Sequence, residues 1–131
     1  MKKTGPLNRD VASVLSRMGH TDTIIVADCG LPIPDDTPCI DLSLKLGTPS
    51  FSAVLAMIIY HVDIEDLTLA EEIKTNNLSL HRKLCADYQD VPINYMTHED
   101  LKRSVKNAKA VIRTGEATPF ANAIVQSGVI F

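Results

Sequence analysis

Residues 19 to 34 read GHTDTIIVADCGLPIP, which sets His20 in a polar turn, follows it with an apolar strand, and places Asp28 at the strand's exit. Imidazole trades protons near neutral pH, and a carboxylate can orient a hydroxyl or a ring nitrogen. Together they can do acid/base chemistry on a small polar ligand without a cofactor. Each residue also has a plainer reading. His20 could cap the carbonyls of the helix before it, and Asp28 could cap the Gly/Pro-rich turn after it.

Other candidates are weaker on the residues alone. His98 follows Thr97 in what reads as the first turn of a helix, a position that asks nothing of imidazole. His61 and His81 read as structural. The loop RTGEATPFAN, 113 to 122, places an amide, Asn122, near an aromatic face, Phe120, which is equipment for gripping a sugar as well as for an ordinary turn. It holds a single glycine and no GxxxxGK pattern, and the chain has no GxGxxG, so phosphate cradling is unsupported. Cys29, Cys39 and Cys85 form no CxxC, so neither a disulfide framework nor a zinc site is written here. Packed thiols are expected, and no motif supports Cys29 as a nucleophile.

The elements that must hold these groups follow from periodicity. A helix is expected over 8–18, N-capped by Asn8, with Val11, Val14, Leu15 and Met18 on one face. TIIVA at 23–27 reads as a strand buried on both faces, and CIDLSL at 39–44 as a short strand. A helix opened by Thr48-Pro49 runs to about 61, with apolar residues on most sides. DLTLA at 66–70 reads as a strand, 77–88 as a helix, PINYM at 92–96 as a strand, and HEDLKRSVKNA as a helix capped by Thr97. The chain closes with the strands KAVIRT, 109–114, and NAIVQSGVIF, 122–131. Alternating helices and apolar strands imply one α/β domain over 1–131, a mostly parallel sheet with helices on both faces. Ligands in such folds bind beyond the carboxyl ends of the strands, where Asp28 and the turn after Arg113 fall.

Composition narrows the partners. The chain has 131 residues, 45% hydrophobic and 22% charged, with no Trp and a net charge of -3. This is enough for one aliphatic core, and its scattered basic residues disfavour nucleic acid. The two N-terminal lysines precede no apolar run, and AVLAMIIYHV at 53–62 is too short to span a bilayer, so a cytoplasmic location is expected.

Several segments together carry a more specific signal: GHTDTIIVADCGLPIP, IDLSL with the PSF that follows, AEEIK, THED, and AVIRTGEATPFAN ending in GVIF. In this order and at these separations, from residue 1 to 131, they resemble the D-ribose pyranase family, the cytoplasmic ribose mutarotases. The related fucose mutarotases share the Gly-His turn, the following Asp and the TGE loop, whereas ADCGLPIP and IDLSL favour the ribose branch. The resemblance implies a three-layer α/β/α domain with a mixed sheet. It further implies a homo-oligomer, a decamer of two pentameric rings, with sites near subunit contacts and no cofactor or metal. The implied activity is an isomerase reaction interconverting pyranose and furanose ribose. Position by position, His20 matches the proton donor, and Asp28, His98, Phe120, Ala121 and Asn122 match sugar-binding positions. Two departures stand out: Phe120 where many members have tyrosine, and Leu46 where some have proline.

The implied mechanism has His20 protonate the ring oxygen, Asp28 orient the sugar or the imidazole, and His98 and Asn122 fix hydroxyls. Competing readings are a non-catalytic sugar-binding or transport accessory protein, a mutarotase for another sugar such as fucose, and a phosphocarrier with His20 as acceptor. Nothing basic near His20 in the sequence is arranged for a phosphate.

Overall fold

A computed structural model describes all 131 residues. Helix α1 spans Arg9–Ser16 and is N-capped by Asn8, whose Oδ1 accepts from the Asp10 and Val11 N–H groups at 2.9 Å each. Strand β1, Thr23–Ala27, occupies the expected residues. Strand β2 is only Cys39–Asp41, because the Asp41 carboxylate accepts from the N–H and Oγ of Ser43 and turns the chain out of the sheet.

Helix α2 covers Phe51–His61, and Ser50 rather than Pro49 holds its start, accepting from the Ala53 N–H at 3.1 Å. Pro49, joined to Thr48 by a cis peptide, therefore lies outside the helix it was expected to open. Strand β3 is Ile64–Ala70. A four-residue helix α3, Ile73–Asn76, absent from the sequence reading, precedes α4, Leu78–Asp87. Strand β4 is Ile93–Met96, and α5, His98–Ser104, is capped by Thr97 as expected before a 3₁₀ turn at Val105–Asn107. The last strands are β5, Val111–Arg113, and β6, Ala123–Ser127. The expected strand to 131 stops at Ser127, where pairing with β1 and β3 ends, and Ile130 and Phe131 are exposed.

The six strands lie in the order β2-β5-β1-β6-β3-β4. Neighbours β2/β5, β5/β1 and β3/β4 pair in parallel, whereas β6 runs antiparallel to both β1 and β3. All strands but β6 therefore point the same way. Alternate residues of β1 enter two cores, Ile24 and Val26 with α1, α2 and α4 on one face, Ile25 and Ala27 with Leu101 and Val105 on the other. This is the expected three-layer α/β/α domain with a mixed sheet.

The thiols depart from expectation. Cys39 and Cys85 are exposed and Cys29 is half-buried, since the short β2 and the outer face of α4 leave them uncovered.

Candidate active site

The carboxyl end of the parallel strands collects five of the six expected residues. Asp28 leaves β1 there, and Asn122 arrives just ahead of β6, the strand paired beside it. Their contact is reciprocal: Asn122 Nδ2 donates to Asp28 Oδ2 at 3.0 Å, and the Asp28 N–H donates to Asn122 Oδ1 at 2.9 Å. The other carboxylate oxygen accepts from the Gly30 N–H at 2.9 Å. Asn122 is fully buried, as is Ala121. The Asn122 amide holds the carboxylate that faces it, and Ala121 packs its methyl into the core.

Phe120 and His98 form the adjoining wall, their rings edge-to-face with centroids 5.0 Å apart. The His98 N–H donates to Glu72 Oε2 at 2.8 Å, which ties the start of α5 to the turn after β3. His98 Nδ1 is buried and has no hydrogen-bond partner within the chain. A buried acceptor or donor left unpaired costs about 1–3 kcal/mol, so such atoms are retained where a ligand or another chain satisfies them. Asn77 braces the loop from outside, its Nδ2 donating to Thr118 Oγ1 at 3.0 Å and to the Pro119 carbonyl at 2.9 Å.

The TGE segment under this loop is architectural. Glu116 accepts the Phe51 N–H on Oε1 at 3.0 Å and the Thr118 hydroxyl on Oε2 at 2.8 Å, and its carbonyl accepts the Cys29 N–H. The Thr114 hydroxyl donates to the Ala27 carbonyl at 2.8 Å. Arg113 donates to the Cys29 carbonyl, Asp41 and Ser43, so its guanidinium is committed to the scaffold.

His20 lies elsewhere. It precedes β1, whereas Asp28 follows it, and five residues of strand separate the two ends by about 16 Å. The imidazole is half-exposed, and its Nε2 stands 3.5 Å from Glu65 Oε1, near the start of β3. Within one chain, Asp28 cannot orient this imidazole, and the two groups do not meet on one ligand. The strand that was expected to hold them together is what holds them apart.

Both ends carry the same mark of strain. Thr21 (φ 69°) and Phe120 (φ 56°) are the two non-glycine residues with positive φ, one beside His20 and one in the sugar-binding run. A side chain in this region costs about 1–3 kcal/mol and persists where its surroundings impose it, most often at functional sites. In addition, none of the four surface concavities of the single chain is lined by Asp28, His98 or Asn122.

Sequence reasoning missed the supporting residues Glu65, Glu72, Asn77 and Gln126, because each acts through a contact distant in the chain. AEEIK marked the neighbourhood of Glu72, and no local pattern marks the others. One result follows from the Asp28–Asn122 contact. Asn122→Ala strips both bonds from Asp28 and is expected to lower stability by about 1–3 kcal/mol, read from denaturant unfolding, together with a rise in KM for sugar.

Comparisons with known proteins identify the family and the fold. Residues 1–130 match the RbsD / FucU transport protein family. The D-ribose pyranase of Halalkalibacterium halodurans is 56% identical over 131 residues, all of both chains. The structure of Bacillus subtilis RbsD complexed with D-ribose superposes with a TM-score of 0.97 at 46% identity, again covering both chains completely. The fucose mutarotase of Streptococcus pneumoniae, solved with L-fucose, shares the fold with a TM-score of 0.76 at 23% identity over 95% of each chain. A two-ended α/β/α chain, with its aspartate locked at one end of the sheet and its histidine at the other, belongs to the RbsD / FucU transport protein family.

Proposed function

We propose that the chain is an isomerase that interconverts the pyranose and furanose forms of D-ribose at a site made by two copies of itself. The observation that carries the reading is the full-length match to a fold solved with D-ribose bound. On this reading Asp28, His98 and Phe120 receive the sugar, with Asn122 and Ala121 as the buried floor beneath them, and His20 comes from a neighbouring copy.

Ring opening breaks the bond between C1 and the ring oxygen, and the electron pair leaves on that oxygen, which takes a proton from His20. The anomeric hydroxyl gives its proton to Asp28 and becomes the carbonyl oxygen. Attack by the C4 hydroxyl then closes the furanose, its proton returning to His20 while the carbonyl oxygen recovers the one on Asp28. Every proton is restored, so the reaction needs no cofactor. His98 and the Phe120 face keep the open chain from diffusing between the two steps.

Phe120 keeps the stacking surface and lacks the phenolic hydrogen bond available to a tyrosine. The neighbour that supplies His20 belongs, on this reading, to a decamer of two pentameric rings working in the cytoplasm. No helix is long and apolar enough to cross a membrane.

Saturation-transfer NMR on D-ribose tests the proposal. Catalytic amounts of protein are expected to accelerate pyranose/furanose exchange, and to do so more for D-ribose than for L-fucose. Perturbed sugar signals without faster exchange would make the chain a binder and sink the enzymatic reading.

A further inference from the structure

We propose that Glu65, steadied by Gln126, is a positioning residue for His20 and leaves Nδ1 as the imidazole nitrogen that exchanges a proton with the sugar. The inference deepens the function proposed above and rests on His20 being its acid.

Three side chains from three segments form a line at the amino end of the sheet. Gln126 Nε2 donates to Glu65 Oε2 at 2.6 Å, and Glu65 Oε1 faces His20 Nε2 at 3.5 Å. Gln126 is fixed by its place in β6, paired with Thr23 on one side and Asp66 on the other. The Gln126 bond, and then the His20 contact, hold the Glu65 carboxyl below the usual carboxylate range, so Glu65 stays an anion at neutral pH. An ionised carboxylate can only accept, so it keeps a hydrogen on Nε2 in both states of the ring. The imidazolium gives the sugar its second hydrogen, from Nδ1, and the neutral imidazole left behind carries its hydrogen on Nε2. Nδ1 has no partner in the chain and is left for the substrate.

The nearby carboxylate of Asp22 is already committed. Its Oδ2 accepts from the Gly19 N–H at 2.8 Å and lies 3.4 Å from Lys109 Nζ. That contact closes the turn instead of touching the ring. Thr21, in its left-handed conformation, donates its N–H to the Ser127 carbonyl at 3.0 Å and so fastens the His20 turn to the end of β6. Both the turn and the carboxylate that orients its histidine are thus anchored to one strand.

A double-mutant cycle on the assembled protein decides the matter. Glu65→Ala is expected to lower kcat for ribose exchange about 10-fold with KM unchanged, because the acid is misplaced while the sugar grip is untouched. In a His20→Ala background, Glu65→Ala should cost nothing further, since the group it acts through is gone. Gln126→Ala should give a smaller loss, about 3-fold, in the same direction. The ¹⁵N shifts of neutral His20 should report hydrogen on Nε2 in the parent and a mixture of both forms in Glu65→Ala. A Glu65→Ala protein as active as the parent, or a loss that multiplies with that of His20→Ala, overturns the assignment. Full activity in His20→Ala alone would instead remove His20 as the acid, and the role of Glu65 with it, while the exchange activity stands; absence of exchange in the parent would sink the proposed function.

Discussion

His20→Ala is expected to fold and assemble as the parent does and to lose about 10²- to 10⁴-fold in the rate of ribose ring exchange, the range typical of a general acid. The substitution removes an exposed ring on a turn, and its contact with Glu65 is at the surface, so little stability depends on it. Substrate affinity should be nearly retained, since the sugar-binding wall lies at the opposite end of the sheet. The decisive form of the experiment uses two inactive proteins. Chains carrying His20→Ala and chains carrying Asp28→Asn, refolded together, should regain about a quarter of the parent activity, because a random assembly then pairs an intact His20 with an intact Asp28 in about a quarter of its sites. If the mixture stays as inactive as its components, both residues serve a site in one copy, and the two-chain site is wrong.

Gly115→Ala should disrupt the carboxyl end without touching any group proposed to meet the sugar. A Cβ at Gly115 would stand 2.4 Å from the Thr48 carbonyl oxygen and 2.6 Å from both the Lys45 carbonyl oxygen and the Thr48 nitrogen. These are backbone atoms, so no side-chain rotation relieves the overlap. The Gly115 N–H donates to the Pro49 carbonyl and its own carbonyl accepts the Gly47 N–H. Any shift therefore breaks the contacts that join the TGE segment to the start of α2. Overpacking of this kind costs about 1–3 kcal/mol and sometimes more. A fall in melting temperature on the order of 5–10 °C is expected, and with it a raised KM as Phe120 and Asp28 lose their common support. An unchanged melting temperature would mean that the loop at 45–49 moves aside freely.

Most of the architecture was legible because it rests on local chemistry. Asn8 and Thr97 announce helix starts through their own side chains, and TIIVA can be little other than a buried strand. Boundaries failed where a residue a few positions away took the decisive bond, as Ser50 did from Pro49, and as Ser43 did in ending β2 at Asp41. Helix α3 has only four residues, too short for periodicity to register. The expected site residues could be named from their motifs, but their grouping could not. His20 and Asp28 are eight positions apart, which invites reading them as partners, and only the direction of β1 reveals that they face opposite ways. The pairing of Asn122 with Asp28 spans 94 positions and needs β6 to enter the sheet beside β1.

The one strand that runs against the others has a consequence for how this protein can vary. Asn122, at the entrance of β6, clasps the aspartate, and Gln126, near its exit, clasps the glutamate that faces His20. A single inserted or deleted residue in this five-residue segment would turn the amide at one end away from its carboxylate and unseat the glutamine at the other. Substitutions elsewhere damage one half of the machinery, but a change of length in β6 takes both. The strand works as a gauge bar, and its length is the dimension that the chain has least freedom to alter.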